Sequence, residues 1–516
     1  MSVLSPAAIG RAPMAHVSLI VEALRAYPGL MFWTAALAQA ALWTLVPALF
    51  YAAPPGDVPL VLAVGREWLA GSPYGPPLAY WAAEIAFGLA GDRIIGIYLL
   101  AQLCVIVTYW AVFRLGRHVV GAAHAVMAIL LMTGISVFTV PTVEFGPGVL
   151  AMPLSALSLL FAYRAMTGHR RLDWVALGLA LGVLILTTYA GLMLFALIVL
   201  FVVGSPQGRA RLRTLGPPAA VLAIVLINLP HLLWLERSGL DPRAIIAALP
   251  GLIISDMRVT AWLGIIVWPL LSHAGLVVLL LVAGGLFAGR ASAPTFERAP
   301  VGPFAKTFVY LFALVPLVVA MSLAVLFKQA SPIGGTGSLV ILSGLAVVVA
   351  AGDVIRLYRQ RTGALVWLGL LLIPPAAIVV ATVTLPWTAA VELEVSKPAA
   401  DMGQFFTETF RRRTGRPLSI VVGDIRTAGL VALASPDRPH LFIDASSERA
   451  PWLSDDAVRR SGAIVMWTAT DAVGTPPADL QARFPEMVPE VPRTFARLIQ
   501  GRLPLLRIGW AVVRPQ

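Results

Sequence analysis

The chain has 516 residues, of which 59% are hydrophobic and only 12% are charged, and its mean hydropathy is +0.84. A water-soluble domain carries roughly 25% charged residues, so the composition excludes a soluble protein and indicates a polytopic membrane protein. The formal net charge of +12 does not indicate nucleic-acid binding. The arginines cluster in short breaks between apolar segments, and no basic face with interleaved aromatic residues is visible.

The first part of the chain predicts a spanning helix followed by a long external loop. Residues 1–27 contain Arg11 and Arg25 and are predicted to be cytoplasmic. A first span is expected at 28–51, and residues 52–91 form the external loop. Within this loop, helical character is predicted for Val58–Ala70 and for Leu78–Ala90.

Apolar segments continue to about residue 391 and predict further spans. Residues 173–203 are predicted to form two short helices that break near Thr187–Gly191, because one helix would place the three arginines that follow outside. The remaining predicted spans are 92–113, 119–140, 149–163, 217–235, 259–288, 305–327, 338–353 and 364–385. This gives about eleven spans, with a cytoplasmic N-terminus and an external C-terminus.

Residues 392–516 have the composition of a soluble domain. Short apolar strands are predicted at Leu418–Gly423, His440–Ile443 and Ala463–Trp467, and helical segments lie between them. Alternating strands and helices predict a small parallel-sheet α/β domain on the periplasmic side, closed by a strand near Leu505–Val513. Asp424 follows the first of these strands without a phosphate-binding glycine pattern and is interpreted as structural.

The distribution of ionisable residues favours chemistry at the outer membrane surface. Sequence signatures of soluble enzymes, such as a P-loop or His-Glu-x-x-His, are absent. The apolar spans contain almost no carboxylates, whereas a transporter typically has charged groups near the middle of its spans. The acidic residues gather at predicted external helix ends: Asp57, Glu67, Glu84, Glu144, Glu236 and Asp256.

The external loop carries a family resemblance. Asp57-Val-Pro-Leu-Val-Leu-Ala-Val-Gly-Arg-Glu-Trp68, followed by Tyr74-Gly-Pro-Pro-Leu-Ala-Tyr-Trp81, resembles the first external loop of the bacterial GT-C glycosyltransferases. These are the dolichyl-phosphate-mannose-protein-mannosyltransferase-like proteins that include the lipid A aminoarabinose transferase. The resemblance extends over roughly residues 50–235. It implies transfer of a sugar from a polyprenyl-phosphate donor to an acceptor at the periplasmic face.

The resemblance also implies a catalytic base. A carboxylate is needed to accept the proton of the acceptor hydroxyl, and the early-loop aspartate of the family corresponds to Asp57. Its alternative role is to cap the helix that follows. The second carboxylate of the family aligns best with Gly148, and Glu144, about one helical turn earlier, is the candidate substitute. Its alternative is an interfacial residue that caps the turn.

The leaving phosphate requires cationic side chains or a divalent metal ion, and the sequence names no certain cofactor or metal ligand. The family often has Lys or His before Pro76, where this chain has Gly75, and a second acidic residue near Leu60 is also missing. Candidate donor- and phosphate-binding residues are Arg66, Tyr74, Tyr189, Arg258 and Lys328. The alternatives are ordinary loop or flanking charges for the cations and an interfacial aromatic belt for Tyr74, while Tyr189 is expected to line the cavity where the short helix pair turns.

The sequence therefore predicts a glycosyltransferase of the bacterial inner membrane, with residues 1–391 as the GT-C-like membrane domain and residues 392–516 as the periplasmic domain. Its expected partners are the polyprenyl-phosphate sugar donor, a lipid or glycan acceptor such as lipid A, and the membrane lipids. The alternative is a non-catalytic or transport protein on a GT-C-like scaffold, for instance a flippase of lipid-linked sugars. A continuous polar path across the bilayer would favour transport.

Overall fold

The computed structural model of the protein describes residues 19–239, 259–285, 293–327, 329, 331–469, 471 and 473–516. Its first part is a helical bundle, and the residues after 391 form a unit built around a mixed sheet. The helices of the bundle are α1 Leu19–Ala26, α2 Pro28–Phe50, α3 Val58–Gly65, α4 Leu78–Leu89, α5 Ile95–Val119, α6 Ala122–Met132, α7 Pro147–Thr167, α8 Arg171–Ile185, α9 Ala190–Gly204, α10 Pro206–Leu212, α11 Gly216–Ser238, α12 Val259–Ser272, α13 Ala274–Ala283, α14 Pro303–Leu326, α15 Thr336–Leu339, α16 Ser343–Ala350 and α17 Gln360–Thr388.

Seven helices in the described residues are long and apolar enough to cross a membrane, and two bent helix pairs raise the number to nine. The prediction of about eleven spans is not confirmed. The difference comes from two predicted spans that are short helices here, α8 with 15 residues and the α15–α16 segment Thr336–Ala350. A helix that crosses the hydrocarbon core alone needs about 20 residues.

The break predicted near Thr187–Gly191 is present, because α8 ends at Ile185 and α9 begins at Ala190. Thr188 stabilises this turn by accepting a hydrogen bond from the Ala190 amide at 3.3 Å. The Leu186 carbonyl accepts a bond from the Leu78 amide at 3.2 Å, so the turn also supports the first residue of α4.

The segment between α2 and α5 contains the two short helices α3 and α4, where helical character was predicted. Seven of the eight residues of α3 are buried, which shows that this helix is enclosed rather than exposed on the surface. Its Gly65 lies directly against α4, since a Cβ atom there would clash with the Tyr80 carbonyl oxygen.

The residues after 391 form α18 Ala399–Thr414, α19 Ala428–Ala434, α20 Asp455–Ser461 and α21 Ala478–Arg483. A ribbon in the bundle pairs β1 Thr295–Glu297 with β2 Val354–Arg356, and the C-terminal sheet contains β3 Ile420–Gly423, β4 His440–Ile443, β5 Ala463–Thr468, β6 Val488–Phe495 and β7 Leu506–Val513. The sheet order is β4-β3-β5-β7-β6.

The expected all-parallel sheet is wrong in part. Strands β3, β4 and β5 are parallel, but the closing strand β7 runs antiparallel to β5, and β6 was not predicted. The chain between β5 and β7 contains β6, which pairs with β7 as an antiparallel neighbour. An antiparallel pair needs only a short turn, whereas a parallel return to the sheet needs a long crossover.

The contact between α3 and α4 gives a first testable prediction. Gly65→Ala should destabilise the protein by about 1–3 kcal/mol, the usual range for overpacking, because the new methyl group meets backbone rather than a movable side chain. Gly88→Ala in α4 is the matched control, since no atom lies within 4 Å of its added Cβ. Thermal unfolding in detergent measures both variants, and equal midpoints for the two would contradict the proposed close packing.

Candidate active site at the start of α3

Asp57 occupies the N-cap position of α3, but its side chain makes no capping hydrogen bond. An N-cap carboxylate normally accepts a bond from the N–H of the second or third helical residue. Here the second helical residue is Pro59, which has no N–H. The alternative role, in which the Asp57 side chain caps α3, is therefore absent from the structure.

Glu144 lies next to this helix start, although it comes from the turn that precedes α7. A Cβ atom at Gly56 would lie 2.7 Å from Glu144 Oε2, and Gly56 has a φ of +58°. Only glycine satisfies both conditions without strain. The residue before Asp57 thus allows the second predicted carboxylate to approach the first.

A third carboxylate, Glu394, belongs to the same cluster. It lies where the chain passes from α17 into the C-terminal unit, close to the point where the amides of Ala52 and Ala53 bond to the Val395 carbonyl at 2.8 and 3.1 Å. Arg426 of the C-terminal unit forms an ion pair with Glu394 at 2.8 Å. We call Asp57, Glu144, Glu394 and Arg426 the carboxylate cluster.

The surroundings raise the pKa of two of these acids. Desolvation by burial is the main cause of the raised pKa of Asp57, and Glu394 adds to it while Arg426 opposes it. Desolvation also raises the pKa of Glu144, with further contributions from Asp57 and Glu394. Asp57 and Glu144 are nevertheless exposed to solvent, so only the direction of each pKa shift bears on the site. Each acid binds a proton more readily than it would in free solution.

Sequence analysis missed Glu394 and Arg426. Arg426 is held by a tight turn in which Asp424 Oδ1 accepts bonds from the amides of Arg426 and Thr427, both at 2.9 Å. The turn follows β3, and the carboxyl ends of parallel strands are where α/β sheets commonly bind ligands. The position of Arg426 just after a parallel strand was therefore a signal that sequence analysis could have used. The sequence around Glu394 gives no such signal, because nothing local distinguishes Glu394 from any other charged residue that follows a span.

Three tyrosines, Tyr74, Tyr80 and Tyr189, lie beside the carboxylate cluster. Tyr80 is fully enclosed, donates a hydrogen bond to the Tyr74 carbonyl at 2.9 Å, and is within electrostatic range of Asp57, Tyr74 and Tyr189. Burial raises the pKa of Tyr74 to about 12 and that of Tyr189 to about 12. These phenols remain protonated near neutral pH, so they are suited to donate hydrogen bonds and not to act as bases.

Tyr74 also contacts the C-terminal unit. Its hydroxyl is buried without a hydrogen bond of good geometry within the described structure, although the Arg449 guanidinium lies beside it and lowers its pKa against the effect of burial. Arg449 pairs with Asp444, which follows β4 and has a φ of +48°. The external loop and the carboxyl edge of the sheet therefore meet at Tyr74.

Tyr189 takes part in a hydrogen-bonded chain that fixes the loop. Its hydroxyl lies 2.8 Å from His231 Nε2, and His231 Nδ1 lies 2.7 Å from the Ala70 carbonyl oxygen. A carbonyl only accepts, so Nδ1 carries the proton and Nε2 accepts from the tyrosine. Trp234 stacks on His231 and packs against Gly71. Tyr189 thus ties α11 and the α8–α9 turn to the loop.

Arg66 lies apart from the carboxylate cluster. It follows the eighth residue of α3, about 13 Å along the helix axis from Asp57. Its charged neighbours are Arg438, Glu67 and Glu84, and its Nη1 atom is buried without a hydrogen-bond partner in the described part of the chain. The structure therefore does not bring Arg66 together with Asp57, and its predicted phosphate contact remains a prediction.

The neighbours of Arg66 join the loop to the C-terminal unit. Arg438 donates to both Glu84 carboxylate oxygens, at 3.2 and 3.0 Å, and stacks over the Phe87 ring. His440 Nδ1 lies 2.6 Å from Glu67 Oε1. We call Glu67, Glu84, Arg438 and His440 the docking cluster.

Two predicted cations, Arg258 and Lys328, lie outside the described residues. The positions that depart from the family pattern are visible. Leu60 is buried in the core, and Gly75 has a φ of +120°, which a residue with a side chain rarely adopts. Gly148 lies in ordinary contact with Gly335. The loop conformation at Gly75 therefore explains why this chain has no cation there.

A divalent metal ion has no evident site in the described ranges, where no three His, Cys, Asp or Glu side chains are arranged to hold an ion. Asp57, Glu144 and Glu394 interact electrostatically. Within the described residues they do not form a coordination shell for a metal ion. The metal ion left open by the sequence remains untested.

A small cavity lies against one face of α7. It is lined by Ala151, Ser155 and Leu159 and is closed by residues of α9, α14 and the α15 segment. Thr188, the neighbour of Tyr189 in the chain, also lines it. Its volume is about 20 Å³, which is room for about one water molecule.

Comparisons with known proteins agree with this arrangement. Residues 74–234 match the family model of dolichyl-phosphate-mannose-protein mannosyltransferases. ArnT from Cupriavidus metallidurans bound to undecaprenyl phosphate has a TM-score of 0.50 and 13% identity, over 94% of this chain and 98% of that chain. The apo oligosaccharyltransferase of Archaeoglobus fulgidus has a TM-score of 0.44 and 12% identity, over 87% of this chain and 70% of that chain. No curated protein matches the sequence.

The resemblance to GT-C glycosyltransferases predicted from the loop residues is confirmed by the family match. The likeness to ArnT extends this result to the fold of almost the whole chain. The family match ends at Trp234, the residue that packs against the loop at Gly71.

The Tyr189–His231–Ala70 chain gives a second prediction. Tyr189→Phe leaves His231 Nε2 buried without a donor, which should cost about 1–3 kcal/mol and loosen the loop around Ala70. Tyr27→Phe is the matched control, since Tyr27 is 64% exposed. Thermal unfolding reports the stability, and limited proteolysis reports cleavage within residues 66–77. Unchanged midpoint and cleavage in Tyr189→Phe would show that the chain of bonds does not hold the loop.

Proposed function

We propose that this protein is a membrane glycosyltransferase that transfers a sugar from a polyprenyl-phosphate-linked donor to a lipid or glycan acceptor of the cell envelope. The observation that carries the proposal is the state of Asp57. Its carboxylate lies at a helix start between the bundle and the C-terminal unit, is not used as a cap, and has a raised pKa. A general base works best when its pKa is moved toward the working pH.

In the proposed reaction, Asp57 accepts the proton of an acceptor hydroxyl as that oxygen bonds to the anomeric carbon of the donor. The bond between the anomeric carbon and the phosphate oxygen breaks, and the lipid phosphate leaves with the electron pair. Arg426 is the cation of the described residues that acts on Asp57, and its positive charge is suited to stabilise the leaving phosphate. Arg66, Arg258 and Lys328 remain predicted phosphate contacts.

The lipid-linked donor is supported by the arrangement of polar and apolar groups. Asp57 and Glu144 lie just before helices that are apolar, since α3 contains no charged residue and α7 contains none before Arg164 in its last turn. A polyprenyl phosphate has the same order, with the sugar and phosphate at the interface and the tail in the hydrocarbon. The solved ArnT structure contains undecaprenyl phosphate, which agrees with a donor of this class.

The proposed orientation places this site at the periplasmic face of the bacterial inner membrane, with a cytoplasmic N-terminus and a periplasmic C-terminal domain. Arginines at the other ends of the helices support it. Arg117 is in the last turn of α5, and Arg164 is in the last turn of α7, where it forms an ion pair with Asp173 at 2.8 Å. A cluster of cations between spans is typical of the cytoplasmic side.

The transport alternative has less support. Some buried polar side chains within the bundle bond to each other, as in Tyr109 to Gln39 at 3.2 Å and Gln102 to Thr142 at 3.0 Å. They are fixed and paired rather than arranged as a ladder of ionisable groups across the membrane, the pattern that marks ion and substrate pathways. A transferase is therefore the function that the described residues favour.

The role of Asp57 gives a third prediction. Asp57→Asn should lower transfer about 10²–10⁴-fold, the usual contribution of a general base. It should also raise the unfolding midpoint at neutral pH, because it removes one charge from a group of three acids. Envelope lipids from cells that carry each form are compared by mass spectrometry, and Asp401→Asn, an exposed residue in α18, is the matched control. An unchanged modification with Asp57→Asn at normal abundance would contradict the catalytic assignment.

The charges around Asp57 give a fourth prediction, on pH dependence. A base must be ionised, so transfer should fall on acidification, with a midpoint above about 3.9, the pKa of a free aspartate. Arg426 lowers the pKa of Asp57, whereas Glu394 raises it. Arg426→Gln should therefore move the acidic limb to higher pH, and Glu394→Gln should move it to lower pH. Initial rates in isolated membranes measure both.

The same pair of variants distinguishes the two candidate bases. Glu144 responds to Asp57 and Glu394, and Arg426 is not among the groups that set its pKa. If Glu144 were the base, Arg426→Gln would leave the acidic limb in place. Shifts in the same direction for both variants would contradict the electrostatic account of the cluster.

A further inference from the structure

A second cavity lies at the opposite end of the bundle from Asp57. It has a volume of about 520 Å³ and is enclosed by α1, α2, α6, α13, α16 and the first turns of α17. This volume is within the range of about 300–1,000 Å³ that is usual for ligand pockets. Its walls near the start of α2, at Met31 and Ala35, lie about 22–28 Å along the helix axis from Phe50, the end of α2 that leads to Asp57.

The wall of this cavity is mostly apolar. Val21, Leu130, Leu280 and Val348 are representative of its lining, and Trp367 forms part of the wall with its indole N–H bonded to Thr133 Oγ1 at 2.8 Å. No Asp or Glu among the described residues lines it. An occupant must therefore present hydrocarbon to most of the cavity, and an acyl chain satisfies this requirement.

One end of the cavity is cationic. Its charged lining residues are Arg356, the last residue of β2, and Arg359. Arg356 is exposed and has no ion pair within the described chain. Gln360, which also lines the cavity, has a buried Oε1 atom without a hydrogen-bond partner among the described residues. The polar end thus offers positive charge together with an acceptor for a hydroxyl group.

The cavity also lies beside α17, a spanning helix that packs little against the rest of the protein. Helix α17 is the least buried of the seven candidate spans in the described residues, with 11% of its most apolar window buried. Its far end contacts the C-terminal unit, where the Arg502 amide bonds to the Pro386 carbonyl at 2.9 Å. A molecule in the cavity would pack against Gly363 and Trp367 in the first turns of α17 and supply missing contacts there.

We propose that this cavity binds an anionic phospholipid with a hydroxylated headgroup, such as a phosphatidylglycerol, from the leaflet opposite the Asp57 site. The phosphate pairs with Arg356 and Arg359, a headgroup hydroxyl donates to Gln360, and an acyl chain fills the apolar part. Basic pockets between spanning helices are known to bind anionic headgroups. This inference does not depend on the proposed reaction, because the cavity and the carboxylate cluster share no residue.

Native mass spectrometry of the full-length protein in detergent, with phosphatidylglycerol or phosphatidylcholine added, tests the proposal. Arg356→Gln should reduce phosphatidylglycerol retention about fivefold and leave phosphatidylcholine unchanged, since one arginine near a lipid surface contributes roughly that factor. Arg361→Gln is the matched control, because Arg361 is an exposed arginine in the same turn that does not line the cavity.

Gly363→Phe tests the apolar part independently of charge. An added Cβ at Gly363 meets no atom within 4 Å, so the larger side chain fills the cavity without a backbone clash. This variant should lose the bound phosphatidylglycerol while keeping a monodisperse elution profile. Retention equal to wild type in a folded Gly363→Phe protein would overturn the proposal.

Two further arms identify the ligand. Phosphatidylglycerol should raise the unfolding midpoint, whereas inorganic phosphate alone should not, and a rise with phosphate alone would replace the lipid site by a simple anion site. Undecaprenyl phosphate should not displace phosphatidylglycerol. Displacement that is lost in Gly363→Phe would assign the cavity to the lipid-linked donor instead and overturn the proposal.

Discussion

The site depends on the packing of the C-terminal unit against the short helix α3. Pro59 of α3 lies against Gly429 of α19, where an added Cβ would approach to 3.2 Å. The docking cluster holds the other end of the helix, through Arg438 on Glu84 and His440 on Glu67. Such part-buried ion pairs contribute geometry more than stability, because the cost of desolvation offsets much of the attraction. With both ends fixed, the sheet edge that carries Arg426 is held above Asp57, and neither the bundle nor the C-terminal unit contains the complete cluster alone.

The sequence was most informative about structural features that depend on a local pattern of residues. The helices α3 and α4, the break between α8 and α9, and strands β3 to β5 all follow from hydrophobic periodicity, proline positions and charge rules that act over a few residues. Asp57 and Glu144 were named from the resemblance to the GT-C glycosyltransferases, Asp57 as the early-loop aspartate and Glu144 as the substitute for the carboxylate that aligns with Gly148. The number of spans is not confirmed, because charge alternation alone cannot tell a short helix supported by neighbouring protein from a full crossing.

The partners of Asp57 were beyond sequence reasoning because they come from distant parts of the chain. Glu394 and Arg426 follow Asp57 by several hundred residues and meet it only when the sheet packs on α3. The direction of β7 was missed for a similar reason. Its apolar pattern predicts a strand, but its orientation depends on β6, whose exposed, proline-containing sequence gave little strand signal. Arg66 lies about 13 Å from Asp57 along the helix axis, and its phosphate contact remains a prediction.

The contrast between the carboxylate cluster and other charged groups argues for function at the cluster. Asp173 is buried and pairs with Arg164 at 2.8 Å, and Arg438 binds both oxygens of Glu84. In the cluster, Arg426 forms an ion pair with Glu394, whereas the Asp57 side chain makes no capping hydrogen bond. The pKa values of Asp57 and Glu144 are raised mainly by desolvation. A fold selected for stability alone would neutralise such a group with a second cation or an amide. Local rules are broken in this way chiefly where a site must bind or react. The proposed role of Asp57 as a base accounts for an acid at the start of α3 that does not cap the helix.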